Sequence, residues 1–133
     1  MLVLGVYLSD REHLAAGVAA ELARSERWTV RQRWVALGER PPPPELAAVT
    51  TRHERAAAPK FTLVNRLLAE ERLDESTYVL LSDDDIRLPQ GFLDRYLDVV
   101  ERHRFALAQP ARSHDSSIDH GFVERIDGIE ARW

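Results

Sequence analysis

Short apolar stretches separated by amphipathic segments run through most of the chain. In Leu2–Leu8 both the odd-numbered and the even-numbered positions are apolar, which is typical of a strand buried on both faces. Within Trp28–Ala36 apolar residues alternate with polar and charged ones, so we expect a strand with one more polar face near a sheet edge. Tyr78–Leu81 predicts a second buried strand, and Phe105–Ala108 predicts a short strand that Pro110 closes.

Three segments between these strands show the spacing of amphipathic helices. They are Glu12–Arg24, a segment from Pro59 to about Arg72, and a segment that opens at Pro89. Both prolines suit the first turn of a helix, where the missing N–H costs nothing. The predicted apolar face of the second helix is Phe61, Val64, Leu67 and Leu68, and that of the third is Phe92, Leu93, Tyr96, Leu97 and Val100.

This alternation predicts the fold class. Strands alternating with helices indicate an α/β fold, a three-layer sandwich around a mainly parallel sheet, in one domain over residues 1–133. We expect residues 38–45 to form a Pro-rich loop, and a short strand is one option for Ala47–Thr51. Residues 111–133 are a weakly periodic polar tail, with a strand conceivable at Gly121–Ile126.

Composition narrows the classes of function. The 22 acidic and 18 basic residues give a formal charge of −4, which argues against a nucleic-acid binder. Absence of cysteine excludes disulfides and thiolate metal sites. We expect no transmembrane segment, because charged residues end the first apolar run at once. A cytoplasmic location fits the absence of cysteine but is not required by it. Abundant Ala and Arg suggest a GC-rich bacterial genome.

Candidate chemistry lies where the predicted strands end. Ser9 and Asp10 follow the first strand, and Asp83, Asp84 and Asp85 follow the strand near residue 80. Ligands of parallel sheets bind beyond the carboxyl ends of the strands. In extended backbone Asp83 and Asp85 point to one side, where their repulsion favours a hard divalent cation such as Mg²⁺ or Mn²⁺. The alternative is a solvated acidic turn that caps the next helix.

Three stretches in order resemble the central part of the GT-A glycosyltransferases. They are an Asn-containing helix (Lys60–Leu68), a hydrophobic strand that ends in an Asp-x-Asp motif (Tyr78–Ile86) and a Pro-Gly-Phe-Leu-like helix start (Leu88–Leu93). The resemblance covers about residues 58–100 and extends loosely over residues 2–34. It implies a GT-A fold and a sugar transferase that binds a UDP-, GDP- or TDP-sugar through Mn²⁺ or Mg²⁺.

The resemblance also implies roles for single residues. Asp85 would coordinate the metal, and Asp83 would hold the metal, its water shell or the ribose. The cation would neutralise charge on the departing diphosphate. The nucleotide-sugar site would further include Tyr7, Ser9 and Asp10 near the base, together with Lys60, Asn65, Asp83 and Asp84. Lys60 has an alternative interpretation as a solvated helix start. Counting back from the helix start instead gives the triplet Ser82-Asp83-Asp84, but Asp83 and Asp85 share one face.

The chain departs from the family pattern in two places. The acidic residue usual after the second strand has only Glu39 as a candidate. The segment after Asp85 is short for an acceptor-binding half, and no catalytic base can be assigned. The main alternative is therefore a non-catalytic module, with a truncated GT-A fold, that binds nucleotide-sugars or serves in assembly. A homodimer is a further hypothesis. The strand at Trp28–Trp34, which has one more polar face, and the short tail would both leave apolar surface uncovered.

Two other classes fit the residues less well. A nucleotidyltransferase would carry a Gly-rich, basic loop after the first strand, and Ser9-Asp10-Arg11-Glu12 contains no glycine. A receiver-like signalling domain would need an acidic pair there and a lysine after a late strand. This chain has a single Asp10 in that loop, and its only lysine precedes the aspartates.

Overall fold

Four parallel strands and three α-helices form the main regular structure in a computed structural model that describes residues 1–74, 77–118 and 120–132. The strands are β1 (Leu2–Leu8), β2 (Arg31–Leu37), β3 (Thr50–Glu54) and β4 (Val79–Ser82). The helices are α1 (Ala15–Leu22), α2 (Lys60–Ala69) and α3 (Phe92–His103), and 3₁₀ turns cover Pro44–Leu46 and Gly121–Val123. The chain divides into two compact units, Met1–Phe92 and Leu93–Trp133.

The sheet belongs to the first unit and has the order β3-β2-β1-β4. β1 pairs with β2 from Leu2↔Arg31 to Leu8↔Leu37 and with β4 from Leu2↔Val79 to Gly5↔Ser82, all in parallel. The α/β class and the parallel sheet predicted from the sequence are thereby confirmed. The strand order reverses at β1, between β2 and β4, and open α/β sheets bind ligands where the strand order reverses.

The two faces of β1 are covered by different helices. Leu2, Leu4 and Val6 lie in one buried cluster with residues of α2 and with Val35. On the opposite face, Gln32 of β2 donates a hydrogen bond of 2.7 Å from its side chain to the carbonyl of Ala19 in α1. Helices on both faces are consistent with the predicted α/β sandwich.

Gly5 makes room for the largest buried side chain on the α1 face. Trp34 is fully buried, and a Cβ on Gly5 would lie 2.2 Å from its ring atom Cε3. The missing side chain lets the indole lie flat on the neighbouring strand. A glycine inside a strand therefore has a packing reason here.

The second strand differs from its prediction. β2 begins at Arg31 and is an interior strand, because β3 pairs with it on the side away from β1. β2 is the neighbour of the edge strand β3, which agrees with the expected position near a sheet edge. Trp28 precedes β2 and packs edge-on against Tyr78, with ring centroids 5.4 Å apart. Because the sequence of β3 is polar, it did not indicate that β2 has a neighbouring strand on this side.

Two apolar segments are more exposed than their patterns predicted. Phe61 was assigned to the buried face of α2, yet it is 64% exposed, and Leu63 takes its place in the core. β4 was predicted to be buried, but Leu81 is 48% exposed, because among the described strands β4 pairs only with β1. An apolar run alone does not show how many neighbours a strand has.

The second unit contains most of α3 and the segment after it. Leu93, Leu97 and Val100 are buried, as the helical spacing predicted. The helix ends at His103. The next residue, Arg104, has a left-handed φ of +55°, and the N–H of Phe105 donates to the carbonyl of Val100 at 3.0 Å.

Neither strand predicted in this unit forms as expected. Phe105–Ala108 is a bend, so that expectation was wrong. Gly121–Ile126 starts with a 3₁₀ turn and contributes one isolated bridge, from Glu124 to Arg112. In the described ranges no helix is long and apolar enough to cross a membrane, since the longest, α3, has 12 residues.

Candidate functional site at the carboxyl edge of the sheet

The loops that follow β1, β2 and β4 meet at one edge of the first unit. All strands of a parallel sheet point the same way, so their following loops share an edge. Helix α2 also begins there, since the chain enters it soon after leaving β3. Residues far apart in the sequence are thus brought together.

Asp10 connects the ends of β1 and β2. Its carboxylate accepts hydrogen bonds from the backbone N–H of Glu39 at 2.9 Å and of Arg40 at 2.8 Å. These two donors stabilise the charged form and lower the pKa of Asp10 below its ordinary value. The Glu39 side chain extends into solvent, 3.9 Å from the guanidinium of Arg55. Asp10 therefore holds the loop through backbone contacts.

Gly38 allows that loop to lie close to the end of β1. Its φ is +139°, a conformation that side-chain-bearing residues rarely adopt. A Cβ at this position would lie 2.5 Å from Asp10 Oδ2 and 2.6 Å from Ser9 Oγ. Ser9 is buried, and its hydroxyl makes no hydrogen bond to any residue that the structure describes. A buried hydroxyl without a partner lies directly beside the loop.

An open cleft of about 340 Å³ lies at this edge. Its lining is Leu8, Asp10, Arg11, Leu37, Gly38, Arg55 and Ala57. Apolar walls and two guanidinium groups suit a ligand that has both a flat apolar part and an anionic part. The volume lies at the lower end of the range for small-molecule sites.

Asp84 is the inward-facing aspartate of the triplet. Its Oδ2 accepts the backbone N–H of Leu8 at 2.8 Å, and its own carbonyl accepts the N–H of Leu14 at 2.6 Å. The residue is only 8% exposed, and its Oδ1 lies 3.8 Å from the guanidinium of Arg11. Asp84 therefore ties the loop after β4 to the end of β1 and the start of α1.

Asp83 and Asp85 are both exposed on either side of the buried Asp84. The Asp83 carboxylate forms an ion pair with Lys60, the first residue of α2. Within the described part of the chain, no hydrogen bond or ion pair involves the Asp85 carboxylate. The triplet thus contains one structural, one paired and one free carboxylate.

The donor set fits a cation that is shared with a ligand. No three His, Asp or Glu side chains come together as a metal cage among the residues that can be described. Mg²⁺ and Mn²⁺ prefer oxygen donors, and Mg²⁺ usually takes one or two carboxylates and completes its shell with water and phosphate. Asp83 and Asp85 meet that smaller requirement.

Two of the site residues implied by the resemblance lie away from the cleft. The side chain of Tyr7 is fully buried in the sheet, and its hydroxyl lies 2.9 Å from Thr50 Oγ1. Burial raises the pKa of Tyr7 above its ordinary value. Asn65 is exposed on α2, about 7.5 Å along the helix axis from Lys60. The other six, Ser9, Asp10, Lys60, Asp83, Asp84 and Asp85, lie at the carboxyl edge or pair with a residue there.

Sequence reasoning did not assign a role to three residues of the cleft. Arg11 had a signal, since it follows Ser9 and Asp10 in the loop after β1. Gly38 was recognised only as a breaker, although its place directly after a strand was informative. Arg55 had no signal, because β3 lacks a strand-like pattern.

The comparisons with known proteins add no relative. No family model, no curated protein and no solved structure matches this chain. The indications of function therefore come from the residues at the carboxyl edge and from the sequence resemblance.

Proposed function

We propose that the chain is a GT-A-like glycosyltransferase domain that binds a UDP-, GDP- or TDP-sugar through Mn²⁺ or Mg²⁺. The observation that carries this proposal is that Asp83–Asp85 directly follow β4, next to β1, where the strand order reverses. The cleft with Arg11 and Arg55 lies at the same edge, and Arg11 is 3.8 Å from Asp84. Nucleotides bind at the carboxyl edge of open α/β sheets, where the strand order reverses.

Each part of the edge would take a different part of the donor. The apolar walls of the cleft would hold the base and ribose, and the unpartnered hydroxyl of Ser9 would donate to a polar ligand atom. Arg11 and Arg55 would attract the diphosphate. Asp85 and Asp83 would hold the cation, which, when bound, supplies positive charge against the departing diphosphate.

A second candidate is a non-catalytic module that binds nucleotide-sugars or serves in assembly. The observation that favours it is the commitment of Asp10 and Asp84 to backbone amides. With Asp83 and Asp85 assigned to the cation, none of these carboxylates is left to act as a general base. A cytoplasmic location and a homodimer stay predictions from the sequence.

Calorimetric titration with UDP-, GDP- and TDP-sugars, with and without Mn²⁺, tests the site. We expect one donor to bind more tightly with metal, and Asp85→Asn to bind it equally with and without metal. Asp98→Asn, which alters an exposed carboxylate on α3, is the matched control and should behave as wild type. If no donor shows metal-dependent binding, the site assignment is wrong.

Turnover separates the enzyme from the module. A transferase should slowly release the nucleoside diphosphate from the donor when water replaces the acceptor. Chromatography of the nucleotide after long incubation measures that release, and Asp85→Asn should abolish it. Metal-dependent binding without release would favour the non-catalytic module.

A further inference from the structure

Lys60 is the only lysine of the chain, and its ammonium pairs with Asp83. It is the first residue of α2, where a positive charge opposes the helix dipole. The first turn holds no acidic residue, and Pro59 provides no side-chain cap. The helix itself therefore does not explain a cation at this position, whereas the carboxylate of Asp83 does.

Asp83 is also one of the two proposed cation ligands. An ammonium and a divalent metal on the same carboxylate repel each other, so each weakens the binding of the other to Asp83. We propose that Lys60 is an exchangeable counterion, which neutralises Asp83 in the absence of metal and turns to the anionic ligand when the metal takes Asp83. This inference rests on the proposed function, since it names how that site is regulated.

The ion pair has the properties of a contact that exchanges readily. The side chains of Lys60 and Asp83 are 33% and 60% exposed, so water competes for both charges. The lysine stem is flexible and carries a compact charge. By contrast, the Glu71 carboxylate, which pairs with Arg33 at 2.5 Å, is only 4% exposed and is part of the structure.

The surroundings also offer the released ammonium a new partner. The N-terminus of α2 lacks a side-chain cap, and the helix dipole favours an anion there. A diphosphate bound near Asp83 would meet both this helix end and the ammonium. The metal and the diphosphate should therefore bind cooperatively, each increasing the affinity for the other.

Removal of the ammonium tests the competition. We expect Lys60→Gln to bind Mn²⁺ alone about two- to fivefold more tightly than wild type, the range that an exposed ion pair spans. The gain in Mn²⁺ affinity produced by added UDP should become smaller. Arg66→Gln is the matched control, because Arg66 is a cation on the same helix that lies 3.9 Å from Glu54. Its Mn²⁺ affinity should equal that of wild type.

The single lysine also permits a direct measurement. Reductive methylation with ¹³C-formaldehyde labels Lys60 and the N-terminal amine and keeps their charge. The Lys60 signal is the one that is missing from Lys60→Gln labelled in the same way. Addition of Mg²⁺ should move the Lys60 signal toward its position in Asp83→Asn, where the carboxylate partner is gone.

The outcomes separate this inference from the proposed function. If Mg²⁺ moves the Lys60 signal but no nucleotide-sugar binds, the exchange stands and the proposed function fails. If a nucleotide-sugar binds with metal while the Lys60 signal stays and Lys60→Gln binds Mn²⁺ like wild type, the exchange is refuted and the function stands. Absence of metal binding to both wild type and Lys60→Gln also overturns the exchange.

Discussion

Replacement of Asp84 by alanine tests whether this aspartate is structural. Its carboxylate accepts the N–H of Leu8 at 2.8 Å, and the residue is only 8% exposed. Alanine leaves that amide without its acceptor. The loss of a hydrogen bond to a charged partner costs about 1.5–3 kcal/mol. The contact with Arg11, whose side chain is 59% exposed, adds at most about 1 kcal/mol.

We therefore expect Asp84→Ala to lower the free energy of unfolding by about 2–3 kcal/mol. Asp84→Asn keeps an acceptor oxygen and should lose less. Asp85→Ala, at an exposed position, should change the free energy by less than about 0.5 kcal/mol. Urea unfolding at neutral pH measures these differences through tryptophan fluorescence, to which the fully buried Trp34 contributes, and through circular dichroism.

Equal losses for Asp84→Ala and Asp85→Ala would refute this reasoning, since burial and the bond to Leu8 would then carry no energy. Titration with metal makes the test more specific. A well-folded Asp84→Asn variant should keep metal-dependent binding, whereas Asp85→Asn should not. The opposite result would favour Ser82-Asp83-Asp84 as the metal-binding triplet.

Three further changes test the packing and charge of the same unit. Gly38→Ala should lower the free energy of unfolding by about 1–3 kcal/mol, because the φ of Gly38 is +139° and a Cβ would lie 2.5 Å from Asp10. Gly17→Ala is the control, since Gly17 has open space around it, and this variant should not be destabilised in thermal unfolding. Gly5→Ala should destabilise the protein by at least about 1–3 kcal/mol and shift the tryptophan emission spectrum, because the new methyl overlaps the indole ring of Trp34. An unchanged spectrum and an unchanged stability would contradict the described packing of Trp34 on Gly5. Asp10 has a folded-state pKa below its unfolded value, so its stabilisation is present above about pH 4 and is lost as the pH falls through the folded-state pKa. Asp10→Asn should therefore flatten the fall in urea midpoint below pH 4, and a constant difference from wild type between pH 3 and pH 6 would exclude this linkage.

Elements with a long local pattern were predicted well. β1 has the predicted bounds Leu2–Leu8, and the predicted helix around Pro59 contains α2. The possible strand at Ala47–Thr51 overlaps β3 only at Thr50 and Thr51, because Thr50–Glu54 has little hydrophobic alternation and owes its conformation to pairing with β2. The exposed face of β4 was also missed, since the number of neighbours of a strand is not written in its own residues.

The candidate site shows the same division. Asp83–Asp85 could be placed at the carboxyl edge from the sequence, because the end of a strand is a local feature. The cleft with Arg55 could not be predicted, because it depends on where the loop after β3 lies. Tyr7 was assigned to the base by position along β1, but the pleat turns its side chain into the core.

The sequence by itself determined the α/β class, the parallel sheet and the acidic edge, since the hydrophobic period and the alternation of strands and helices along the chain are local patterns. Only the tertiary structure decided what each aspartate does. Asp84 is structural because β1 brings the amide of Leu8 to it, and Asp83 is paired because α2 begins with Lys60 beside it. These partners lie far away in the chain, so packing rather than sequence pattern distinguishes three identical neighbouring side chains.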